Sequence, residues 1–140
     1  MPLNEVETTL LSSTVADESE AGVSIYLNNR HHYEIGVQNH GAQRKLILRR
    51  QIGSLFKVEN ERLIASETKG LKITETLQDY IFSYKLDQDW IELGRGKTQY
   101  LTTEVGGCFT GNYFALYAHS ENSTVSPLIF KEFVYRVHLD

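Results

Sequence analysis

Cysteine and proline are nearly missing from this chain, and each scarcity removes a class of structure. A single cysteine, Cys108, in 140 residues cannot close an intramolecular disulfide. Its neighbours are Gly107 and Phe109, and no adjacent His or Lys lowers its pKa, so it reads as a small buried hydrophobe and not a nucleophile. The two prolines, Pro2 and Pro127, leave almost every extended run its full set of N–H donors. No apolar run approaches the ~20 residues that cross a bilayer. The opening Met1-Pro2-Leu3-Asn4-Glu5 has neither a cationic n-region nor an apolar h-region. A cytoplasmic protein with no membrane partner is expected, and the sequon Asn122-Ser123-Thr124 is then expected to stay unmodified. A basic face is missing too. Asp and Glu (18) outnumber Lys and Arg (14), for a net charge of −4. The densest basic stretch, Arg44-Lys45 with Arg49-Arg50, is broken by Leu46-Ile47-Leu48. Polyphosphate binding relies on a basic stripe, so no nucleic-acid partner is expected.

What the chain does have is apolar bulk and alternation. Hydrophobic residues make up 41% of it, with 8 Tyr, 6 Phe and 1 Trp, enough for a core without staples at this length. Helical periodicity is nearly absent, while period two recurs. Val23, Ile25 and Leu27 alternate with Ser24 and Tyr26. Beyond Asn28-Asn29, His31, Tyr33, Ile35 and Val37 share one face and His32, Glu34 and Gly36 the other, which reads as a hairpin. Further strands are expected at Lys45 to Arg50, at Arg62 to Glu67, and from Leu71 to Thr76 after a Lys69-Gly70 break. Tyr80, Phe82, Tyr84 and Leu86 form one apolar face, and Asp87-Gln88-Asp89 turns the chain into Trp90 to Leu93. Gly106-Gly107 precedes Tyr113 to His119, Ser120 to Ser126 is a polar loop, and a last strand carries Ile129, Phe133, Tyr135 and Val137. Asn60 to Ser66 alone has weak helical credentials. Ten to twelve short strands at this spacing predict an all-β sandwich of two antiparallel sheets.

Three segments carry a family resemblance. Ala21-Gly22-Val23-Ser24-Ile25-Tyr26 with Asn28-Asn29-Arg30-His31-His32-Tyr33 resembles a strand, turn and His/Tyr-rich strand in the C-terminal domain of glycoside hydrolase family 43 β-xylosidases. Phe82-Ser83-Tyr84-Lys85-Leu86-Asp87, ending at Trp90 and Gly94, is similar to that domain's Tyr-Ser-x-Asp-Gly-x-x-Trp hairpin. Tyr100-Leu101-Thr102-Thr103-Glu104, Gly107-Cys108-Phe109-Thr110-Gly111 and Leu116-Tyr117-Ala118 resemble its Tyr-Leu-Ser-x-Glu, Gly-Phe-Thr-Gly and Leu-Tyr-Ala run. The order and spacing match over Glu5 to Tyr135. The resemblance implies a concanavalin A-like (jelly-roll) sandwich packed beside a catalytic β-propeller, the propeller holding the carboxylates that cleave β-1,4-xylo-oligosaccharides or arabinosides with inversion. The family sandwich is longer at its N-terminus, so residues 1–140 are read as one β-sandwich domain, a fragment or truncated form of a longer accessory domain.

The candidate sites divide between chemistry and packing. The resemblance implies that Phe109, on a loop freed by Gly106-Gly107 and Gly111, projects into the mouth of the propeller's sugar pocket; its alternative is a cap on the core. Asp87, Asp89 and Glu92 imitate a catalytic carboxylate series, but Asp is a standard turn residue and the turn splays them. His31, His32 and Glu34 imitate metal ligands, yet a strand puts only His32 and Glu34 on one face, two where zinc needs three or four. Tyr80, Phe82 and Tyr84 are either core or a sugar platform, with core expected. Trp90 is either a core aromatic, the expected reading, or an exposed stacking residue. Possible sugar or interface contacts are His31, His32, Tyr33, Trp90 and Tyr117.

No catalytic residue, metal ligand or cofactor is therefore assigned, a structural calcium being left open. The chain alone is expected not to be an enzyme. Its expected function is a non-catalytic accessory domain in xylan or xylo-oligosaccharide degradation, bracing a catalytic propeller and shaping its pocket mouth, with that propeller, a xylo-oligosaccharide or related glycan, and a homo-oligomeric copy as candidate partners. The alternatives are an independent carbohydrate-binding module and a purely structural oligomerisation domain.

Overall fold

The computed structural model describes residues 3–11, 14–41, 43–63, 68–101, 113–120 and 128–138. Within them run ten strands: β1 (Asn4–Leu11), β2 (Ser19–Asn28), β3 (His31–His40), β4 (Gln43–Ile52), β5 (Leu55–Leu63), β6 (Thr68–Glu75), β7 (Asp79–Leu86), β8 (Asp89–Lys97), β9 (Tyr113–Ser120) and β10 (Phe130–Val137). They form two five-stranded sheets, ordered β10-β1-β6-β7-β8 and β5-β4-β3-β2-β9, with every pairing antiparallel. The expected two-layer all-β architecture is what the chain adopts.

Alternation builds the core. Val6 and Leu10 of β1, Leu71 and Ile73 of β6, and Tyr80, Phe82 and Tyr84 of β7 point inward from the first sheet. Ala21, Val23 and Ile25 of β2, Tyr33, Ile35 and Val37 of β3, and Leu46 and Leu48 of β4 meet them from the second. Each Val, Leu, Ile or Phe among them contributes roughly 1.5–3 kcal/mol by withdrawal from water. Tyr80, Phe82 and Tyr84 are thus core and not a platform. Tyr33 is core as well, 1% exposed, which corrects its assignment as a sugar or interface contact. Its ring packs on Tyr80 and Phe82 at 5.8 and 5.5 Å, and its hydroxyl donates to the Lys97 carbonyl at 3.0 Å. A Cβ at Gly96 would lie 2.3 Å from that ring, so a glycine is needed where the two sheets approach.

Several boundaries differ from expectation. β1 has weak alternation because its middle inward position is Thr8, whose hydroxyl finds backbone carbonyls of β10. Of the strand expected at Arg62 to Glu67, Arg62 and Leu63 belong to β5, Leu55–Leu63, hairpinned to β4 through Gly53 at φ 60°, and residues 64–67 lie outside the described residues. Asn60 lies inside that strand and donates to the Leu93 carbonyl at 2.7 Å, so no helix begins there. Lys69 and Gly70 do not break the chain but belong to β6. The Asp87 turn between β7 and β8 stands as expected, with Asp87 at φ 56°.

Candidate functional site

The outward face of the second sheet carries the densest chemistry. Because Ala21, Val23 and Ile25 face the core, Glu20, Gly22, Ser24 and Tyr26 face out. The register sets them beside Gln38, Gly36, Glu34 and His32 of β3 and beside His119, Tyr117, Ala115 and Tyr113 of β9. β4 adds Ile47 and Arg49 opposite Gly36 and Glu34.

Arg49 organises this face. Its Nη1 and Nη2 donate to the two oxygens of Glu20 at 2.7 and 2.6 Å, a bidentate pair, and Nη1 also reaches Glu34 at 3.2 Å. Tyr117 donates its hydroxyl to Glu20 at 2.6 Å, and His119 Nε2 lies 3.7 Å from the same carboxylate. His32 Nε2 stands 2.7 Å from Glu34, with the Tyr26 ring stacked on His32 at 5.5 Å. Glu20 is 1% exposed and Arg49 8%, so the pair is a buried one on a nominally outer face. The Phe56 ring lies 5.4 Å from the guanidinium carbon. Gly36 makes room for this arrangement: a Cβ there would fall 2.2 Å from the Tyr117 hydroxyl.

The electrostatics follow from burial and pairing. Burial pushes the Tyr117 hydroxyl well above its ordinary pKa, and the neighbouring Glu20 and Glu34 charges add to it. Burial alone would raise Glu34, but the His32 hydrogen bond and the charges of Arg49, His32 and His119 overcome it and hold the carboxyl below its ordinary value. Burial works against the Arg49 cation too, and the Glu20 and Glu34 carboxylates outweigh it, raising its pKa.

This geometry bears on two kinds of chemistry. Glu20, Glu34 and His119 offer atoms within 4.8 Å of one another, a spacing that would suit a cation, but the guanidinium of Arg49 already takes both carboxylates. The same closeness falls near the ~5 Å separation of a retaining glycosidase pair. A general acid needs a raised pKa, whereas Glu34 is lowered, and Glu20 is sealed beneath Arg49 and Tyr117. The face is built to be held and not to turn over substrate.

The remaining candidates lie apart. Asp89 and Glu92 are three residues apart in β8 and point to opposite faces; Glu92 accepts from Arg95 at 2.9–3.1 Å. His31 is hydrogen-bonded to the Asn28 carboxamide oxygen at 3.1 Å. Trp90 is not a core aromatic: it lies on the outer face of the first sheet, its ring 4.4 Å from Lys72 Nζ. Cys108 and Phe109 lie outside the described residues. Between the sheets a cleft of about 460 Å³ opens among Asn4, Glu75, Ile25, Tyr113, Phe114, Phe133 and Tyr135. Sequence reasoning found His32 and Tyr117 but missed Glu20, Arg49 and His119. One signal was present. Leu46, Ile47 and Leu48 are three consecutive apolar residues, and all are buried, so β4 is covered on both faces and an adjacent arginine must be paired.

The family described as the beta xylosidase C-terminal concanavalin A-like domain matches residues 2–136. The chain is also similar to the non-reducing end alpha-L-arabinofuranosidase BoGH43B of Bacteroides ovatus, 26% identical over 122 residues, which are 86% of this chain and 23% of that protein. The GH43 BlXynB protein from Bacillus licheniformis superposes with a TM-score of 0.87 at 17% identity, over 99% of this chain and 28% of the other. The xylan beta-1,4-xylosidase from Bacillus halodurans C-125 superposes at 0.84 with 20% identity, over 97% and 28%. Those two likenesses establish the shared fold. The chain spans about a quarter of the length of each of these relatives. With nearly every residue inside the match and both sheets in place, the chain belongs to the family of concanavalin A-like domains found at the C-terminus of beta xylosidases.

Proposed function

We infer that the chain is the accessory domain of a family 43 glycoside hydrolase, bracing a catalytic propeller and shaping the mouth of its pocket. The observation that carries this reading is the match over residues 2–136 to a C-terminal domain family, in a chain whose curated relative is about four times longer. The placement of the chain's turns supports it. β1 starts, β6 ends and β9 starts at one end of the sandwich, since Asn4, Glu75 and Tyr113 line one cleft there. Leu101, buried at the end of the 3-10 turn Thr98–Leu101, and Tyr113 bound the segment that contains Phe109. A catalytic domain joined before β1 would meet the sandwich at this end, where Tyr113 begins β9.

The aromatic face of Phe109 stacks on the substrate's C–H surface and excludes water from the pocket mouth. The substrate is a pentoside, β-1,4-xylo-oligosaccharide first and arabinoside second, the relatives being named for both. The test joins the chain to a family 43 propeller and compares it with Phe109→Ala on nitrophenyl β-xyloside and nitrophenyl α-arabinofuranoside. The expected result is a KM raised about tenfold on one of them, equivalent to about 1.4 kcal/mol of lost binding, with kcat little changed. Unchanged kinetics on both would contradict the pocket-mouth role.

A further inference from the structure

The outer face of the first sheet holds a hollow of about 110 Å³ lined by Glu7, Thr9, Gly70, Lys85, Trp90 and Glu132. Three separate features make it. Gly70 supplies the floor: a Cβ there would meet Lys85 Cβ at 3.0 Å and the Trp90 ring at 3.1 Å. Trp90 supplies a wall, with the ammonium groups of Lys72 and Lys85 4.4 and 5.6 Å from its ring centroid. A β-bulge supplies the third side. Thr8 pairs with Phe133 and Thr9 with Lys131, leaving Glu132 unpaired between them at φ 60°.

That bulge is the informative feature. The other positive-φ residues, Glu18, Gly41, Gly53 and Asp87, stand in turns between strands, where such a conformation is ordinary. Among the described residues, Glu132 alone has a positive φ within a strand. A glutamate there costs on the order of 1 kcal/mol that a glycine would not. Thr8 fixes the distortion from the core side by donating to the Glu132 carbonyl and, at 3.5 Å, to that of Lys131. Bulges commonly re-aim a side chain, and this one brings a carboxylate to the hollow opposite the indole.

The geometry points to a binding site for a single sugar ring of a neutral oligosaccharide, stacked on Trp90. Its hydroxyls would donate to Glu132 and Thr9 and accept from Lys85. An aromatic face beside a few convergent polar groups is the chemistry that orients a sugar. The charged groups lining the hollow are Lys85, Glu7 and Glu132, and Arg136 holds Glu7 at 2.6 Å, so these charges cancel and the balance favours a neutral ligand over a uronate. A ring laid on the indole displaces an ammonium that then becomes a hydroxyl donor. The choice of a pentose residue as that ring rests on the proposed accessory role.

Trp90 is the sole tryptophan, so its fluorescence reports on this hollow directly. The chain is titrated with xylohexaose and, separately, with a linear arabino-oligosaccharide. The expected result is a saturable change in emission with one of them, half complete at about 1 mM or below. Glu132→Gly should weaken binding about tenfold without lowering Tm, because glycine suits the backbone there. No saturable change with either sugar up to about 10 mM overturns the site. So does full-strength binding by Glu132→Gly, which would leave the bulge merely structural. Neither outcome touches the pocket-mouth reading, which the Phe109 kinetics decide independently.

Discussion

Arg49 shows how a residue can be charged, buried and still structural. Its guanidinium bridges two carboxylates that would otherwise repel each other on one sheet face. Removing one partner of such a pair leaves a buried charge unpaired, which costs about 3–5 kcal/mol. Arg49→Met should therefore destabilise strongly in urea unfolding, and adding Glu20→Gln should recover much of the loss, the non-additivity marking direct coupling. Glu34 makes a pH prediction. Its folded pKa lies below the ordinary 4.5, so it contributes stability above that value and loses it as pH falls through the folded one. Glu34→Gln should lower the neutral plateau of Tm against pH and flatten the acid limb below about 4.5, the two curves converging as pH falls. Gly36→Ala would set a methyl group against Tyr117 and, at 2.7 Å, against the Ala21 carbonyl. About 1–3 kcal/mol of destabilisation is expected, as for other overpacked sites.

Among the elements, legibility in the sequence tracked how cleanly side chains alternate. β2, β3 and β7 place aliphatic and aromatic residues on one face without interruption, and their positions could be read directly. β1 escaped because Thr8 occupies an inward position, and its partnership with β10 depends on a bulge 124 residues away in sequence that no local pattern announces. β5 was displaced in register because Phe56, Val58 and Leu63 are exposed on an edge strand, so its hydrophobic pattern does not mark a buried face. The same reasoning covers the candidate site. His32 and Tyr117 stood out as residue types, whereas Glu20, Arg49 and His119 gain meaning only through the β9-β2-β3-β4 order. Phe82→Ala, at a fully buried site that packs on Tyr33 of the facing sheet, should cost about 3–5 kcal/mol by urea denaturation.

For the whole molecule, two stacked sheets supply a rigid frame on which several described carboxylates are tied to cations: Glu20 and Glu34 to Arg49, Glu92 to Arg95, Glu5 and Glu7 to Arg136. Carboxylates committed in this way brace a surface and do not exchange protons with a substrate. Chemistry is then expected from a separate catalytic unit, with the sandwich contributing contacts at its rim. The most direct measurement is hydrolysis of nitrophenyl β-xyloside and nitrophenyl α-arabinofuranoside by these 140 residues alone and by the same residues joined to a family 43 propeller. Turnover only in the joined form is the predicted result. Turnover by the sandwich alone, abolished by Glu34→Gln or Glu92→Gln in a variant that still folds, would contradict it.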